Sequence, residues 1–319
     1  MGETPESAMA ELAVQTSNLA KSFGKIQAVT GLDLAVPRGE MFSLVGPDGA
    51  GKTTTIRMLC GLLPPTSGKA RVLGYDLVGQ SDKIKRSIGY LPQKFSLYGD
   101  LTIEENIEFF AEIHRVDRFG PRRDELLDFT RLTPFRKRLA DRLSGGMRQK
   151  LALVCTLIHT PRLLFLDEPT TGVDPVSRRD FWKILSDLLK TGITILMTTP
   201  YLDEAERCSR VGLMNGGRLM TAAPPAEVKA LMRGTVVEIV CGDTFGARAA
   251  LRGLPAAREV QIFGDRLDIV VDDMEKDLPA VEARLSQAGI VVLDRRAVPP
   301  SLENVFISVT RPAAKEASS

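Results

Sequence analysis

The 319-residue chain has few cysteines and no long apolar run, and each scarcity excludes a class of protein. Its four cysteines are scattered without a Cys-x-x-Cys pair, which argues against a disulfide framework or a zinc site and favours a reducing, cytoplasmic setting. The longest apolar run, residues 151–158, is far shorter than the roughly 20 residues that cross a bilayer. The first residues also lack the charged and apolar regions of a signal peptide. Any role at a membrane is therefore expected to depend on a partner.

An excess of charge of either sign is also missing. Lysine and arginine number 42 against 40 aspartates and glutamates, and the two signs are interleaved along the chain. Binding to nucleic acid would require a clustered basic surface, so we expect no nucleic-acid partner. The hydrophobic content of 44% is typical of a globular protein, and the length is sufficient for two domains.

Alternating apolar strands and amphipathic helices predict an α/β protein whose parallel sheet is covered by helices. A helical subdomain is expected at about residues 93–160, within a first domain of residues 12–232. The predicted strands are residues 12–19, 32–36, 41–45, 163–166 and 193–198, and the predicted helices are residues 52–62, 145–159 and 176–189.

A second block, residues 234–311, has the order β-α-β-β-α-β. This order predicts a small, ferredoxin-like α+β accessory domain. A closing helix is expected at residues 302–309. The polar ends of the chain, residues 1–11 and 312–319, are predicted to be disordered tails.

A glycine-rich motif, Gly-Pro-Asp-Gly-Ala-Gly-Lys-Thr, lies between a predicted strand and a predicted helix. Its glycines would let backbone N–H groups surround a phosphate, and the helix N-terminus adds the positive end of a dipole. Lys52 would place its charge against the β- and γ-phosphates, and the Thr53 hydroxyl would bind Mg²⁺. A turn that only caps the helix is the alternative, but strand, helix and spacing together favour phosphate binding. The predicted nucleotide-binding residues of this loop are Gly46, Pro47, Asp48, Gly49, Ala50, Gly51, Lys52, Thr53 and Thr54.

Two carboxylates follow the apolar strand predicted at residues 163–166. Asp167 could hold the Mg²⁺ shell, and Glu168 could accept a proton from an attacking water. Solvated acids are common at strand ends, so this pair indicates a catalytic role only in combination with the glycine-rich loop. Together the two motifs predict a site that hydrolyses ATP.

A Leu-Ser-Gly-Gly-Met segment offers a second phosphate-binding helix end through Ser144, Gly145 and Gly146. With the two other motifs, and in this chain order, the sequence resembles the ABC ATPase family over about residues 12–231. The resemblance implies a P-loop NTPase fold, with a RecA-like parallel sheet, an antiparallel N-terminal sheet and a helical insert. It also implies ATP and Mg²⁺ as cofactors.

The same resemblance implies roles for three further residues. Gln93, in Tyr-Leu-Pro-Gln, resembles the family's glutamine that reaches Mg²⁺ and the attacking water. Asp174, in Thr-Gly-Val-Asp-Pro, resembles an aspartate near the two-fold axis of the family's dimer. Phe23 lies where the family keeps an aromatic against adenine, although a half-buried core aromatic is the alternative.

The C-terminal block resembles the accessory domain of ABC-2-type exporter subunits such as drug-export ATP-binding proteins, down to its ending Leu-Glu-Asn-Val-Phe. The resemblance implies an ATPase that powers transport of an unknown substrate through a separate transmembrane permease, at the inner face of the cell membrane. We expect this permease to dock near residues 93–105. In the family the Ser-Gly-Gly of one subunit closes over the nucleotide of another. A dimer of ATP-binding subunits is therefore implied, and we favour a homodimer over a heterodimer.

Two residues depart from the family pattern. Pro200 lies where the family has a histidine that contacts the γ-phosphate, and proline offers neither a side-chain donor nor an N–H. We expect Pro200 to be the first helical residue, with Thr199 as the N-cap. Asp48 replaces a common asparagine and places a carboxylate near the phosphates.

Pro200 leaves two alternatives for the activity. Either Glu168 sustains hydrolysis, with help from Tyr201, or the site binds ATP and turns over slowly beside a competent partner chain. The intact base and metal ligands favour hydrolysis. A soluble ABC ATPase is a third alternative, but the chain lacks the long coiled coils of DNA-repair relatives and the paired ATP-binding halves of translation relatives. Import rather than export stays open, since the direction rests on the accessory domain.

Overall fold

The computed structural model describes residues 11–310. The predicted tails therefore lie outside the described residues, apart from Glu11, whose carboxylate pairs with Arg38 at 2.6 Å. Across residues 11–310, no helix combines the length and the apolar character needed to cross a membrane. The strands are β1 (Leu12–Phe23), β2 (Ile26–Pro37), β3 (Met41–Val45), β4 (Ser67–Val72), β5 (Tyr75–Asp76), β6 (Ile88–Leu91), β7 (Leu163–Asp167), β8 (Thr194–Thr199), β9 (Arg210–Asn215), β10 (Arg218–Ala223), β11 (Thr235–Cys241), β12 (Glu259–Phe263), β13 (Arg266–Val271) and β14 (Val292–Val298). The helices are α1 (Lys52–Leu59), α2 (Ser81–Ser87), α3 (Ile103–Ile113), α4 (Gly120–Thr130), α5 (Gly145–Leu157), α6 (Pro175–Lys190), α7 (Leu202–Ala205), α8 (Pro225–Lys229), α9 (Thr244–Leu251), α10 (Met274–Gln287) and α11 (Leu302–Thr310).

The strands form three sheets. The N-terminal sheet has the order β2-β1-β4-β5 and is antiparallel. The second has the order β10-β9-β3-β8-β7-β6, in which β9, β3, β8, β7 and β6 are parallel and β10 is an antiparallel edge. The third, β12-β13-β11-β14, is antiparallel. The predicted fold class, a P-loop α/β domain followed by a ferredoxin-like domain, is confirmed.

The parallel sheet separates two hydrophobic cores, and β7 contributes to both. Leu164 and Leu166 belong to the core formed with α3 to α6, whereas Leu163 and Phe165 belong to the core beneath α1 and the N-terminal sheet. A strand covered on both faces must be apolar at every position, because alternate side chains point to opposite sides. This packing explains the continuous apolar runs in the sequence.

The helical insert begins at a capping box. The Thr102 hydroxyl accepts from the Glu105 N–H, and the Glu105 carboxylate accepts from the Thr102 N–H. Helices α3 and α4 both pack against α5. Within the predicted helical subdomain, the chain turns between α3 and α4, where Arg115 and Arg118 have positive φ angles.

The chain divides into two compact units, one running to Pro224 and the other beginning at Pro225. In the second unit, Asp273 caps α10, which begins at Met274 and includes Pro279. Helix α11 is fixed through Asn304, which is 1% exposed and whose amide donates to Gln261 and Asp268, both at 3.1 Å. The Leu-Glu-Asn-Val-Phe ending thus has a structural role inside its own unit.

Candidate nucleotide-binding site

The glycine-rich loop between β3 and α1 folds around the ammonium group of Lys52. This side chain is 4% exposed, and its Nζ donates to the carbonyls of Gly46, at 2.7 Å, and Pro47, at 3.1 Å. Pro47, Asp48 and Gly49 are exposed at the tip, whereas Ala50 is buried and Thr54 is half-buried in the first turn of α1. The loop therefore has the form of a cradle with a cation at its base.

Two glycines allow this loop to lie against neighbouring backbone. A Cβ on Gly46 would lie 2.1 Å from the Met214 carbonyl oxygen, and one on Gly51 would lie 2.4 Å from that of Ala28. Gly51 also has a φ of 97° and is the N-cap of α1. Because glycine has no side chain to cap the helix, the first N–H groups of α1 remain available to an anion.

Asp167, at the end of β7, is fully buried and holds two hydroxyl groups. Its Oδ1 accepts from Thr53 Oγ1 at 3.0 Å and from Thr198 Oγ1 at 2.7 Å. Within residues 11–310 its Oδ2 has no hydrogen-bond partner. A buried carboxylate oxygen without a partner requires an explanation, and an oxygen-ligated divalent cation supplies one. Thr53 and Asp167, predicted as metal ligands, are thus in contact.

Glu168 lies directly after β7 and is 9% exposed. Its N–H donates to the backbone oxygen and the hydroxyl of Thr198, at 3.1 and 3.0 Å, which fixes the backbone at a φ of 49°. Its Oε2 accepts from Gln93 Nε2 at 2.8 Å, and its Oε1 lies 3.6 Å from Lys52 Nζ. The fold therefore brings Lys52, Gln93 and Glu168 together from three separate segments.

The Ser-Gly-Gly segment and Asp174 lie at the starts of α5 and α6. Ser144 is the N-cap of α5, where its Oγ accepts from Met147 N–H at 3.3 Å, and the first turn of the helix begins at Gly145. A Cβ on Gly146 would lie 2.2 Å from the Ser177 hydroxyl, so α5 and α6 approach closely there. Across residues 11–310, no hydrogen bond joins Ser144 to the glycine-rich loop.

Asp174 is the N-cap of α6 and accepts from the N–H groups of Val176 and Ser177, at 3.1 and 3.0 Å. Hydrogen bonding, first from the Ser177 N–H, holds the pKa of Asp174 below its usual value. The carboxylate therefore stays charged at neutral pH at the start of the helix.

Phe23 ends β1, is 49% exposed, and is not among the residues of the hydrophobic core beneath the N-terminal sheet. Lys21 Nζ lies 5.1 Å from the centroid of its ring. The exposed ring is available to a flat partner. Strand β2, which pairs with β1, lies against the cradle at Ala28, whose carbonyl oxygen is next to Gly51.

The prediction that Pro200 opens a helix behind Thr199 is wrong. Helix α7 starts at Leu202, and its N-cap is Tyr201, in an extended conformation. Thr199 is still part of β8, and its hydroxyl accepts from the Tyr201 N–H at 3.0 Å, which turns the chain at Pro200 without helix. The Tyr201 ring faces the Arg178 guanidinium, with 4.5 Å between the ring centroid and Cζ.

Sequence reasoning missed Thr198, which binds both Asp167 and Glu168. Its only signal is a pair of threonines at the end of an otherwise apolar strand. Buried hydroxyl groups at such an end require partners, and here Thr198 faces the acids of β7.

Comparisons with known proteins find matches for both parts of the chain. The family model "ABC transporter" matches residues 29–171, and the model "ATP-binding protein DrrA1-3-like, C-terminal domain" matches residues 224–310. The daunorubicin/doxorubicin resistance ATP-binding protein DrrA of Streptomyces peucetius is 37% identical over 96% of this chain and 94% of its own length. This chain belongs to the family of ABC transporter ATP-binding proteins.

Other relatives of this ABC ATP-binding protein differ in length. The Nod factor export ATP-binding protein I of Rhizobium etli is 36% identical over 93% of both chains. The probable multidrug ABC transporter ATP-binding protein YbhF of Escherichia coli (strain K12) is 44% identical over 71% of this chain, which spans only 40% of YbhF. A solved ATP-binding subunit of an ABC transporter is similar with a TM-score of 0.62 and 28% identity, over 69% of this chain and 92% of that subunit.

Proposed function

We propose that this protein binds and hydrolyses ATP and thereby powers export of a substrate through a separate transmembrane subunit. The observation that carries the proposal is the convergence of Lys52, Gln93 and Glu168 beside the hydrogen-bonded pair of Thr53 and Asp167. One cation, one carboxylate base and one metal-binding pair are the parts that phosphoryl transfer to water requires.

The cradle would bind the nucleotide through its phosphates. Free N–H groups at the start of α1 would donate to the β-phosphate, and Lys52 would turn from the loop carbonyls to the β- and γ-phosphates. Phe23 would lie against the adenine, as an exposed ring at the end of β1. Asp48, exposed at the tip of the loop, would lie near the phosphates.

Thr53 and Asp167 fit Mg²⁺, since both offer oxygen atoms and Asp167 Oδ2 is a buried oxygen without a partner in the described chain. A bound Mg²⁺ would neutralise charge on the β- and γ-phosphates. Thr198 would hold Asp167 in place through the hydrogen bond to Oδ1, and Gln93, which is hydrogen-bonded to Glu168, would be a further ligand.

Glu168 would accept the proton of the attacking water. Its Oε2 is held by Gln93, in the loop after β6, and its backbone by Thr198 of β8, so its orientation is fixed from two separate segments. Because it is 9% exposed, bulk water competes little for its lone pairs. Gln93 would position the water together with Glu168.

A complete site would need a second ATP-binding subunit. Ser144, Gly145 and Gly146 form the N-terminal end of α5. In the described chain, no hydrogen bond joins this end to the chain's own cradle. One chain carries one cradle and one such helix end, so two copies related by a two-fold axis would complete both sites. We favour a homodimer for this reason, with Asp174 near the axis.

The permease would dock on an apolar groove of about 290 Å³ that includes Phe95 and Phe110. The groove also contains the stacked imidazoles of His114 and His159, 4.0 Å apart. Burial and the neighbouring His159 lower the pKa of His114 to about 4, so the stack is uncharged at neutral pH. The groove overlaps the predicted docking region of residues 93–105. Names of relatives that mention drug resistance and Nod factor export support the direction of transport. Binding to the permease would place the protein at the inner face of the cell membrane.

ATP turnover by the purified chain tests this proposal. We expect the rate per chain to rise with protein concentration, because each site needs a second copy, and to vanish when EDTA removes Mg²⁺. Phosphate release measured across a hundredfold range of concentration checks both. Bound ATP without turnover at any concentration would contradict a catalytic homodimer and favour a slow subunit that depends on a different partner chain.

Pro200 is the observation that favours this second candidate, a slow ATP-binding subunit. Since Glu168 keeps all its contacts, we expect Pro200→His to change turnover by no more than about threefold. Pro200→Ala is the matched control, which removes the ring without adding an imidazole. A rise of roughly tenfold or more in the histidine variant alone would show that the missing donor limits hydrolysis, and would favour the slow subunit.

A further inference from the structure

A buried carboxylate outside the predicted site, Glu204 of α7, binds side chains from three segments around it. It is 1% exposed, and its two oxygens accept from Thr170 Oγ1 at 2.7 and 2.8 Å. One of them also accepts from Thr199 Oγ1 at 2.8 Å, and the other lies 3.5 Å from Arg178 Nε. A carboxylate buried to this degree is tolerated only because donors surround it.

The first segment is the loop that follows Glu168. Thr170 is two residues from Glu168, and its neighbour Thr171 donates to Glu168 Oε2 at 3.3 Å. Adjacent residues of this loop therefore point to the two acids in turn, Thr170 to Glu204 and Thr171 to Glu168. Any shift of Thr170 moves the backbone that carries Glu168.

The second segment is the turn at Pro200. The Thr199 hydroxyl donates to Glu204 and accepts from the Tyr201 N–H, so it fixes the backbone on both sides of Pro200. The third segment is the start of α6. Arg178 donates its backbone N–H to the Asp174 carbonyl at 2.9 Å, and its guanidinium faces the Tyr201 ring.

We infer that Glu204 is a positioning residue for ATP hydrolysis. It would hold the Glu168 loop, the Pro200 turn and the start of α6 in one fixed arrangement, without touching nucleotide or metal. The inference rests on the proposed function, because it concerns the turnover step. It also offers a reason why the Pro200 turn, which lacks the family's histidine, keeps its shape: the hydrogen bond from the Thr199 hydroxyl to Glu204 fixes it.

A purely structural role for Glu204 would make a different prediction. The cradle is held by Lys52 and by the approach of Gly46 and Gly51 to neighbouring strands, and none of these contacts involves α7. Loss of Glu204 as a positioning residue should therefore lower turnover and leave ATP affinity unchanged. Loss of a fold-stabilising residue should lower the midpoint of thermal unfolding, ATP affinity and turnover together.

The experiment compares Glu204→Gln and Glu204→Ala with Asp203→Asn, an exposed neighbour on the same short helix. Turnover at saturating ATP, the Kd for ATP and the midpoint of thermal unfolding are measured for each full-length variant and for the parent. We expect Glu204→Ala to lose roughly 10- to 100-fold in turnover, with the Kd for ATP within about twofold of the parent. Turnover of Glu204→Gln should lie between that of Glu204→Ala and that of the parent, because its amide oxygen can still accept from a threonine hydroxyl. Since Glu204→Gln keeps the size of the side chain, it decides the matter if the alanine variant does not fold.

Three results would overturn the inference. Turnover of Glu204→Gln and Glu204→Ala equal to that of Asp203→Asn would reject it while leaving the proposed function intact. A parallel loss of turnover, ATP affinity and thermal stability would reject it in favour of a structural role. A parent chain without Mg²⁺-dependent turnover would reject the proposed function, and this inference with it.

Discussion

Replacing Glu168 with glutamine is expected to lower ATP turnover by at least about 100-fold, with ATP still bound. The amide keeps the size of the side chain and one oxygen that can accept from Gln93, but it cannot take a proton from water. Because nucleotide would bind and not be consumed, the variant should accumulate as an ATP-bound dimer. Phosphate release and size-exclusion chromatography with ATP measure the two effects.

The matched control is Glu125→Gln, which changes an acid on α4 that pairs with Arg122 at the surface. It should turn over like the parent, since exposed pairs contribute little. Residual activity in Glu168→Gln within about threefold of the parent would mean that another group acts as the base. A loss of turnover without any ATP-dependent dimer would instead mean that blocking hydrolysis is not enough to make the ATP-bound dimer accumulate.

Replacing Lys52 with alanine is expected to weaken ATP binding by at least about 100-fold. The ammonium is placed to make charge-assisted bonds to two phosphates, and each such bond contributes about 1.5 to 3 kcal/mol. Lys52 also donates to the carbonyls of Gly46 and Pro47, so the empty cradle should lose some of its order as well. Titration with a fluorescent ATP analogue measures the affinity.

Lys190→Ala serves as the control, because Lys190 is 73% exposed and pairs with Asp187 on its own helix. An affinity of Lys52→Ala close to that of the control would refute phosphate binding at the cradle. If Lys52→Ala also lowers the midpoint of thermal unfolding, the loss of affinity could come from a disordered cradle. Lys52→Arg keeps the charge and shows how much of the loss is due to the charge itself.

The parts of the site that sequence could predict are those encoded locally. The cradle follows from glycines at fixed spacing between an apolar strand and a helix, and the acids Asp167 and Glu168 follow from the end of a buried strand. The ferredoxin-like unit follows in the same way from the order of its elements. Family resemblance then supplied Gln93, which the fold brings to 2.8 Å from Glu168.

The parts that sequence could not predict depend on contacts between distant segments. Glu204 lies 34 residues from Thr170, and nothing in its short helix signals that it is buried. The turn at Pro200 was mistaken for a helix start because proline favours that position, whereas the Thr199 hydroxyl bonds to the Tyr201 N–H and keeps the chain extended. Local propensity was overruled by the two hydrogen bonds of the Thr199 hydroxyl, which donates to Glu204 and accepts from the Tyr201 N–H.

The two threonines that end β8 make catalysis sensitive to strand register. Asp167 pairs with Thr198 in the sheet, and Val45 pairs with Thr199 on the other side. Because neighbouring side chains of a strand point to opposite faces, a slip of one residue would turn each side chain of β8 to the other face of the sheet. Thr199 would then face Asp167, and Glu204 would lose a donor. The alignment of this buried strand therefore contributes to the candidate nucleotide-binding site, through the hydroxyl groups of its last two residues.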